Sequence, residues 1–331
     1  MNGESLLINQ IPNKRISRNF FDIDMNIRKP ILVTGSHRSG TTWVGKMLAV
    51  SSAIGYIHEP FNLTHRPGIC TAKFPYWFTY VTEENEAPYY EALKKTLAFR
   101  FDIGAELPAI QSFRHVGRML KNYKNFSLYR YRQATPLMKD PIALFSSEWL
   151  ARTFDMSVIV LIRHPAAFAS SISRLNWTHN FSHFLNQPLL MRDYLAPFEA
   201  EIRAFVEKEH AILEQAILLW RIIHYLILHY QEKHKDWIFL RHEDISIDPL
   251  HHFEYLYKKM NLTMTDKEKQ VIEDFSGEDN PTEATMGHIL EKRNSKSNIK
   301  SWKKKFTEKE LTSLRTKVEE ISHMFYSDTD W

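Results

Sequence analysis

Residues 31–48 read ILVTGSHRSGTTWVGKML. The run from Ile31 to Thr34 predicts a buried strand. Gly35 and Gly40 bracket a tight turn, and an apolar-periodic helix follows. The spacing is that of a phosphate-binding loop, in which backbone N–H groups and a helix N-terminus surround an anion. Thr41 stands where such loops carry lysine, Thr42 follows it, and the cation inside the loop is Arg38. Ser36, Ser39, Gly40, Thr41 and Thr42 form the expected cradle. The plainer alternative is a tight turn without a ligand, but such a turn has no need of Arg38 or of so many hydroxyls.

Outward from this stretch, SVIVLIRHPAAFASSISRL at 157–175 is a second strand-to-helix unit, its strand at 157–162. Continuous apolar strands suit parallel sheets buried on both faces. A kinase or NTPase needs the loop lysine and a metal-binding aspartate at the second strand end. Here the strand ends in Arg163. An arginine shielded at a strand end requires an anionic partner, either a phosphate or a structural carboxylate. Ser171 lies about two turns into the next helix, and Arg174 reads as an exposed helix residue.

AIGYIHEPFNL predicts a short strand running into a turn at Glu59-Pro60. PLMKDPIALFSSEWLARTF predicts an extended piece and then a helix starting near Asp140-Pro141. Helices are expected near 86–100, 112–123, 198–232 (one long or two), in DPLHHFEYLYKKM and TDKEKQVIEDF, and near 307–325; WIFLRHEDI is another strand ending in charge. Strands alternating with helices define an α/β fold with a P-loop type parallel sheet flanked by helices. We expect one domain over 1–331, with a polar arm at 1–28 and a loop-rich, aromatic insertion at 62–135 that shapes an acceptor pocket.

Charged residues make up 25% of the 331, and a net charge of +4 does not mark a nucleic-acid binder. The single cysteine, Cys70, excludes a disulfide framework and a cysteine-rich zinc site. His179/His183 and His251-His252 complete no zinc-protease pattern and read as non-ligands. The apolar stretch at 211–230 is interrupted by Glu214, Arg221 and His224, so a buried core helix is expected and no membrane span. The first twenty residues carry no long apolar core and no small-residue cleavage site, so the expected location is cytoplasmic.

GSHRSGTTWVGKML resembles the 5′-phosphosulfate loop of sulfotransferases that use 3′-phosphoadenosine 5′-phosphosulfate (PAPS), and LIRHPAAFASSISR resembles their 3′-phosphate motif. The loop arginine is similar to both the carbohydrate and the tyrosylprotein branches, YIHEPFN resembles the Gal/GlcNAc 6-O carbohydrate branch, and MKDP resembles the tyrosylprotein branch. The resemblance implies that PAPS is the co-substrate and that no metal is required. It implies binding of the 5′-phosphosulfate at 36–42 and of the 3′-phosphate by Arg163 and Ser171. It also implies a late covering loop in EKRNSKSNIKSWKKKF, where Lys292 lies ten residues before Trp302 and Arg293 is its neighbour. Arg174 is a further possibility for the cofactor.

The resemblance places the catalytic glutamate at Glu59, on the sheet edge where ligands bind in open α/β sheets. His58 is the rival base, expected to face away from the loop by strand alternation. Arg38 and Lys139 are the expected partners of the bridging and sulfuryl oxygens. The charges of RHEDISIDP at 241–249 are expected to brace the site. The expected acceptor is a carbohydrate hydroxyl, with Tyr76, Trp77 and Trp177 available to stack on sugar rings. Tyrosine sulfation of a protein, a nucleotide-dependent kinase and a non-catalytic PAPS binder are the alternatives, and the oligomeric state is left open.

Overall fold

The computed structural model describes residues 29–277, 280–281, 292, 294–297 and 299–331. The expected arm at 1–28 and Arg293 lie outside the described residues. Five strands, β1 (Ile31–Gly35), β2 (Ile54–His58), β3 (Thr135–Lys139), β4 (Ser157–Ile162) and β5 (Ile238–Arg241), form one sheet in the order β2-β3-β1-β4-β5. Every pairing is parallel. The order reverses at β1, with β2 and β3 on one side and β4 and β5 on the other. The carboxyl end of β1 is therefore the topological switch point, where open α/β sheets take their ligands.

The pleat divides the strands between two helical layers. Ile31, Val33, Leu137, Ile159 and Leu161 pack with Val44 and Met47 of α1 (Thr41–Leu48). Leu32, Met138, Val158, Val160 and Ile162 join the larger aromatic core on the opposite face. The remaining helices used below are α2 (Tyr90–Leu97), α3 (Phe113–Tyr131), α4 (Ser147–Phe154), α5 (Pro165–Leu175), α6 (Glu199–Glu207), α7 (Ile212–Lys233), α8 (His242–Ile247), α9 (Pro249–Lys259), α10 (Asp266–Ser276) and α11 (Glu308–Ser322).

Among the described residues α7 alone is long and apolar enough to cross a membrane. Here it packs against α5 and α11 and buries Trp220, Ile223, Leu226 and Ile227, as an all-round apolar helix inside a globular core does.

Residues 198–232 take the second of the two expected forms, two helices, α6 and α7, with a break after Glu207. As expected, β5 ends in charge: Arg241 is its last residue, opposite Ile162 of β4, and α8 begins at His242. The helix expected at 112–123 runs on to Tyr131. Its amphipathic period is weak, since Phe126 is its one buried residue, so no apolar stripe marks its full length.

Candidate active site

The loop after β1 turns through three residues in the left-handed region: Gly35 at φ 124°, Arg38 at 66° and Gly40 at 87°. A Cβ on Gly35 would lie 2.2 Å from the Leu161 carbonyl oxygen, so only glycine lets β1 leave the sheet this close to β4. Ser36 N–H donates to the Leu161 carbonyl at 3.0 Å and Ser39 N–H to the Ser36 carbonyl at 3.2 Å. Ser36, Ser39 and Thr41 are buried, and Thr42 is half-buried.

Gly40 caps α1 without any side-chain hydrogen bond. The first-turn N–H groups of α1 therefore face the loop's concave side, at the positive end of the helix dipole. These features fit an anionic group: a cradle only glycine can line, buried hydroxyls and an uncapped helix start.

Lys139 ends β3 with its side chain on the α1 side of the sheet. Gly45 makes room for it, since a Cβ there would stand 3.1 Å from Lys139 Cγ and 3.1 Å from the Tyr56 ring. The lysine stem thus passes beneath α1, fully buried, and its Nζ meets Glu59 Oε1 as an ion pair. Glu59 follows β2 at φ 43°, an uncommon conformation for a non-glycine residue. Its N–H donates to the Lys139 carbonyl at 2.9 Å, and Asn62 Nδ2 donates to Glu59 Oε2 at 2.9 Å.

Asp140 fixes the turn from below. Its Oδ2 accepts from Phe61 N–H at 2.7 Å and its Oδ1 from Ile142 N–H at 2.9 Å. Burial, and then the nearby Glu59 charge, push its carboxyl up to about 7. Burial raises the Glu59 carboxyl as well. Lys139, helped by His58 and Asn62, outweighs that and leaves it below its ordinary value.

His58 is opposite Lys139 in the β2–β3 register, so both side chains lie on the α1 side of the sheet. This corrects the expectation that alternation turns His58 away from the loop. The left-handed Glu59 breaks the alternation, so consecutive residues both approach Lys139. Burial, then Lys139, pulls His58 down to about 4, and its Nδ1 stands 3.5 Å from the Tyr56 hydroxyl. His37, in the loop itself, is held at about 3 by burial and Arg38. Both rings are neutral near pH 7.

At the end of β4, Arg163 is mostly buried with Nε 3.7 Å from Glu243 Oε1. That nitrogen has no hydrogen-bond partner among the described residues. Glu243 also accepts from His164 N–H at 3.2 Å and from the Tyr326 hydroxyl at 2.9 Å. Thus the RHED carboxylate braces Arg163. An under-satisfied buried guanidinium beside a helix start is a fitting partner for a phosphate. Ser171 Oγ, on α5, accepts from Arg38 Nε at 3.0 Å, which ties the second strand-helix unit to the loop. Arg174 is exposed.

Lys292 is half-exposed and pairs with Asp274 on α10 at 3.3 Å. Nearer to Arg163 is Trp302, which is buried and stacks on His164 with ring centroids 4.9 Å apart and planes at 10°. Sequence reading used Trp302 only as a spacing marker. It also missed His242, whose Nδ1 a Cβ on Gly40 would approach to 2.5 Å, and Asn62, which holds Glu59. Spacing gave no signal for either, because both act through contacts made by the fold. Trp177 is 48% exposed with the Arg38 guanidinium 5.6 Å from its ring centre, whereas Tyr76 and Trp77 are half-buried. No cluster of three His, Cys, Asp or Glu side chains suited to a metal ion occurs among the described residues.

A phosphate-type loop at a switch point, with cations from three strand ends gathered beside it, defines a P-loop group-transfer enzyme. The model of the sulfotransferase family matches residues 30–266, and the chain belongs to that family. It is a PAPS-dependent sulfotransferase, moving a sulfuryl group to a hydroxyl acceptor. No curated protein matches the sequence significantly.

Similar solved structures include the sulfotransferase domain from the Synechococcus PCC 7002 olefin synthase, 15% identical over 92% of this chain and 98% of that one, with a TM-score of 0.48. Sulfotransferase STF9 from Mycobacterium avium is 14% identical over 90% and 77%, with a TM-score of 0.45. Mouse sulfotransferase SULT7A1 complexed with PAP is 12% identical over 92% and 87%, with a TM-score of 0.43. At these values the likenesses assign no acceptor and no residue role.

Proposed function

We propose that this enzyme sulfates a carbohydrate hydroxyl, with Glu59 as general base. In this reading Arg38 and Lys139 hold the phosphosulfate oxygens, together with the cradle of Ser36, Ser39, Gly40, Thr41 and Thr42. Arg163 and Ser171 hold the 3′-phosphate, and Lys292 and Arg293 belong to the late covering segment. PAPS supplies an activated sulfuryl group already carrying its leaving phosphate. The protein is left to bind anionic oxygens, orient the acceptor hydroxyl and take its proton.

The observation that carries the reading is the ion pair between fully buried Lys139 and Glu59, beneath the helix that starts at the loop. Lys139 is the charge that keeps the Glu59 carboxyl low against the raising effect of burial. Anionic oxygens in the loop compete for that ammonium. As Lys139 is drawn toward them, burial governs Glu59 and the carboxylate becomes a stronger base. Donor binding thus readies the base for the acceptor proton. Asn62, bonded to Oε2, keeps the carboxylate oriented while Oε1 changes partner.

The carbohydrate reading rests on Trp177, an exposed indole flanking Arg38 at the loop. Flat aromatic faces beside a polar site suit the apolar face of a sugar ring. The test is mass spectrometry of products after offering labelled PAPS with panels of glycans, tyrosine peptides and small phenols. Label on glycans, lost in Trp177→Ala, is the expected result. Label on peptides alone would replace the carbohydrate reading with the tyrosylprotein one.

A further inference from the structure

The sulfuryl-transfer site leaves α3 unused. This helix runs for 19 residues along the edge strand β2 and buries only Phe126. Its inner side is held by Phe126 and Tyr129, which pack on Phe99 at 5.7 and 5.2 Å. Its outer side carries large apolar groups. Phe113 is 96% exposed, Leu120 56% and Tyr131 88%.

Residues 18 apart on an α-helix point in the same direction, about 27 Å apart along the axis. Phe113 and Tyr131 have that separation, and Leu120 is seven residues after Phe113, about 20° off the same line. The three therefore form one outward stripe. Ile103 and Leu107, in the helical turns that precede α3, are exposed too.

The flanks of the stripe are cationic. Arg114, Arg118, Lys121, Lys124 and Arg130 lie on α3, and residues 113–132 contain no Asp or Glu. Several exposed arginines elsewhere are paired, Arg192 with Glu84, Arg203 with Glu199 and Arg315 with Asp328. The α3 cations have no such partner among the described residues. Lys121 is close enough to Lys46 for its charge to oppose that ammonium, which itself lies 3.8 Å over the Tyr56 ring. The cationic flank thus extends toward the layer that holds Lys139.

We propose that the outer face of α3 is a docking surface for anionic phospholipid bilayers. An exposed aromatic and aliphatic stripe flanked by unpaired lysine and arginine is the arrangement of helices that lie in the membrane interface. The rings enter the headgroup boundary while the cations meet anionic lipid. A protein partner of ordinary interface character would bury the stripe but leave this one-signed flank to repel itself. The charge complement of the face is a surface uniformly negative, and an anionic leaflet is one. Docking there would bring the enzyme to acceptors carried on that surface.

The test is co-sedimentation of the full-length protein with vesicles of phosphatidylcholine alone and of phosphatidylcholine with 30% phosphatidylglycerol. Binding to the anionic vesicles only, weakened by raising salt, is expected. Each cation near an anionic surface contributes about a fivefold change in affinity. Lys121→Ala with Lys124→Ala should therefore weaken binding about 30-fold, and Phe113→Ser with Tyr131→Ser at least about tenfold. All four positions are exposed, so melting temperature and PAPS binding should match wild type in both variants. Equal binding to neutral vesicles, no binding to either kind, or unaltered binding by both variants overturns the proposal. So does a dimer that Phe113→Ser dissociates in the absence of lipid affinity, which assigns the face to a second copy of the chain.

Discussion

Replacing Lys139 by Met tests the buried ion pair through stability before any turnover is measured. The substitution keeps the aliphatic stem that passes under Gly45 and removes only the charge that meets Glu59. Breaking a buried pair by removing one partner typically costs about 3–5 kcal/mol. Glu59 keeps a fifth of its side-chain exposure and its bond from Asn62, so the lower end, about 3 kcal/mol, is expected. Glu59→Gln added to Lys139→Met removes the stranded carboxylate, and the double variant should recover about 2 kcal/mol of that loss.

The pH dependence has a definite sign. In the wild type the lowered Glu59 value means stability present above the unfolded carboxylate value and lost as pH falls through the folded one. In Lys139→Met burial governs, so the folded value exceeds the unfolded one. The native state then holds the extra proton, and this group's contribution falls as pH rises through that window. Urea unfolding of the four proteins at several pH values, with the slope m unchanged, measures this. Additive single effects, or a Lys139→Met variant as stable as wild type at pH 7, would refute the pairing.

Adenosine 3′,5′-bisphosphate should raise the melting temperature more than AMP or ATP-magnesium does, since only it offers a 3′-phosphate to Arg163 and Ser171; equal shifts would remove that assignment. Arg163→Ala should weaken PAPS binding about 10- to 100-fold in calorimetry, the loss of one charge-assisted hydrogen bond, with acceptor affinity little changed. Gly40→Ala should weaken PAPS binding and cost about 1 kcal/mol or more in thermal unfolding, because its φ is 87° and its Cβ would crowd His242. If donor binding draws Lys139 from Glu59, the acid limb of kcat should lie at higher pH than that of kcat/KM for the acceptor-free, donor-free enzyme; coincident limbs would contradict that exchange.

The loop, its glycines and the Arg163 strand end were legible because each is local. Chain geometry at Gly35 and Gly40 demands particular residues, and a continuous apolar run needs no tertiary information. Glu59 and Lys139 were legible as types at strand ends, but their pairing was not. It depends on the β2–β3 register and on one left-handed residue, and alternation gave the wrong side for His58. A bracing role for the charges at 241–249 was expected, but not that Glu243 is the one beside Arg163; that contact and the stacking of Trp302 on His164 join segments 80 and 138 residues apart in sequence. No periodicity carries such information. The full length of α3 was hidden for the opposite reason: its apolar groups face outward and follow no core-facing pattern.

The most direct measurement of the central claim is Glu59→Gln, read by calorimetry for PAPS and by a single-turnover sulfuryl-transfer assay. Glutamine keeps the size and the bond to Asn62 but cannot take the acceptor proton at neutral pH. PAPS affinity should be kept or become tighter than wild type, since Glu59 competes with the donor for Lys139 and contributes no cation. The transfer rate should fall by about 10²–10⁴, the usual contribution of a general base. His58→Ala, whose ring is a weak base near 4, should lose less than about tenfold. Near-normal transfer by Glu59→Gln beside an inactive His58→Ala would contradict the claim and assign the proton to His58.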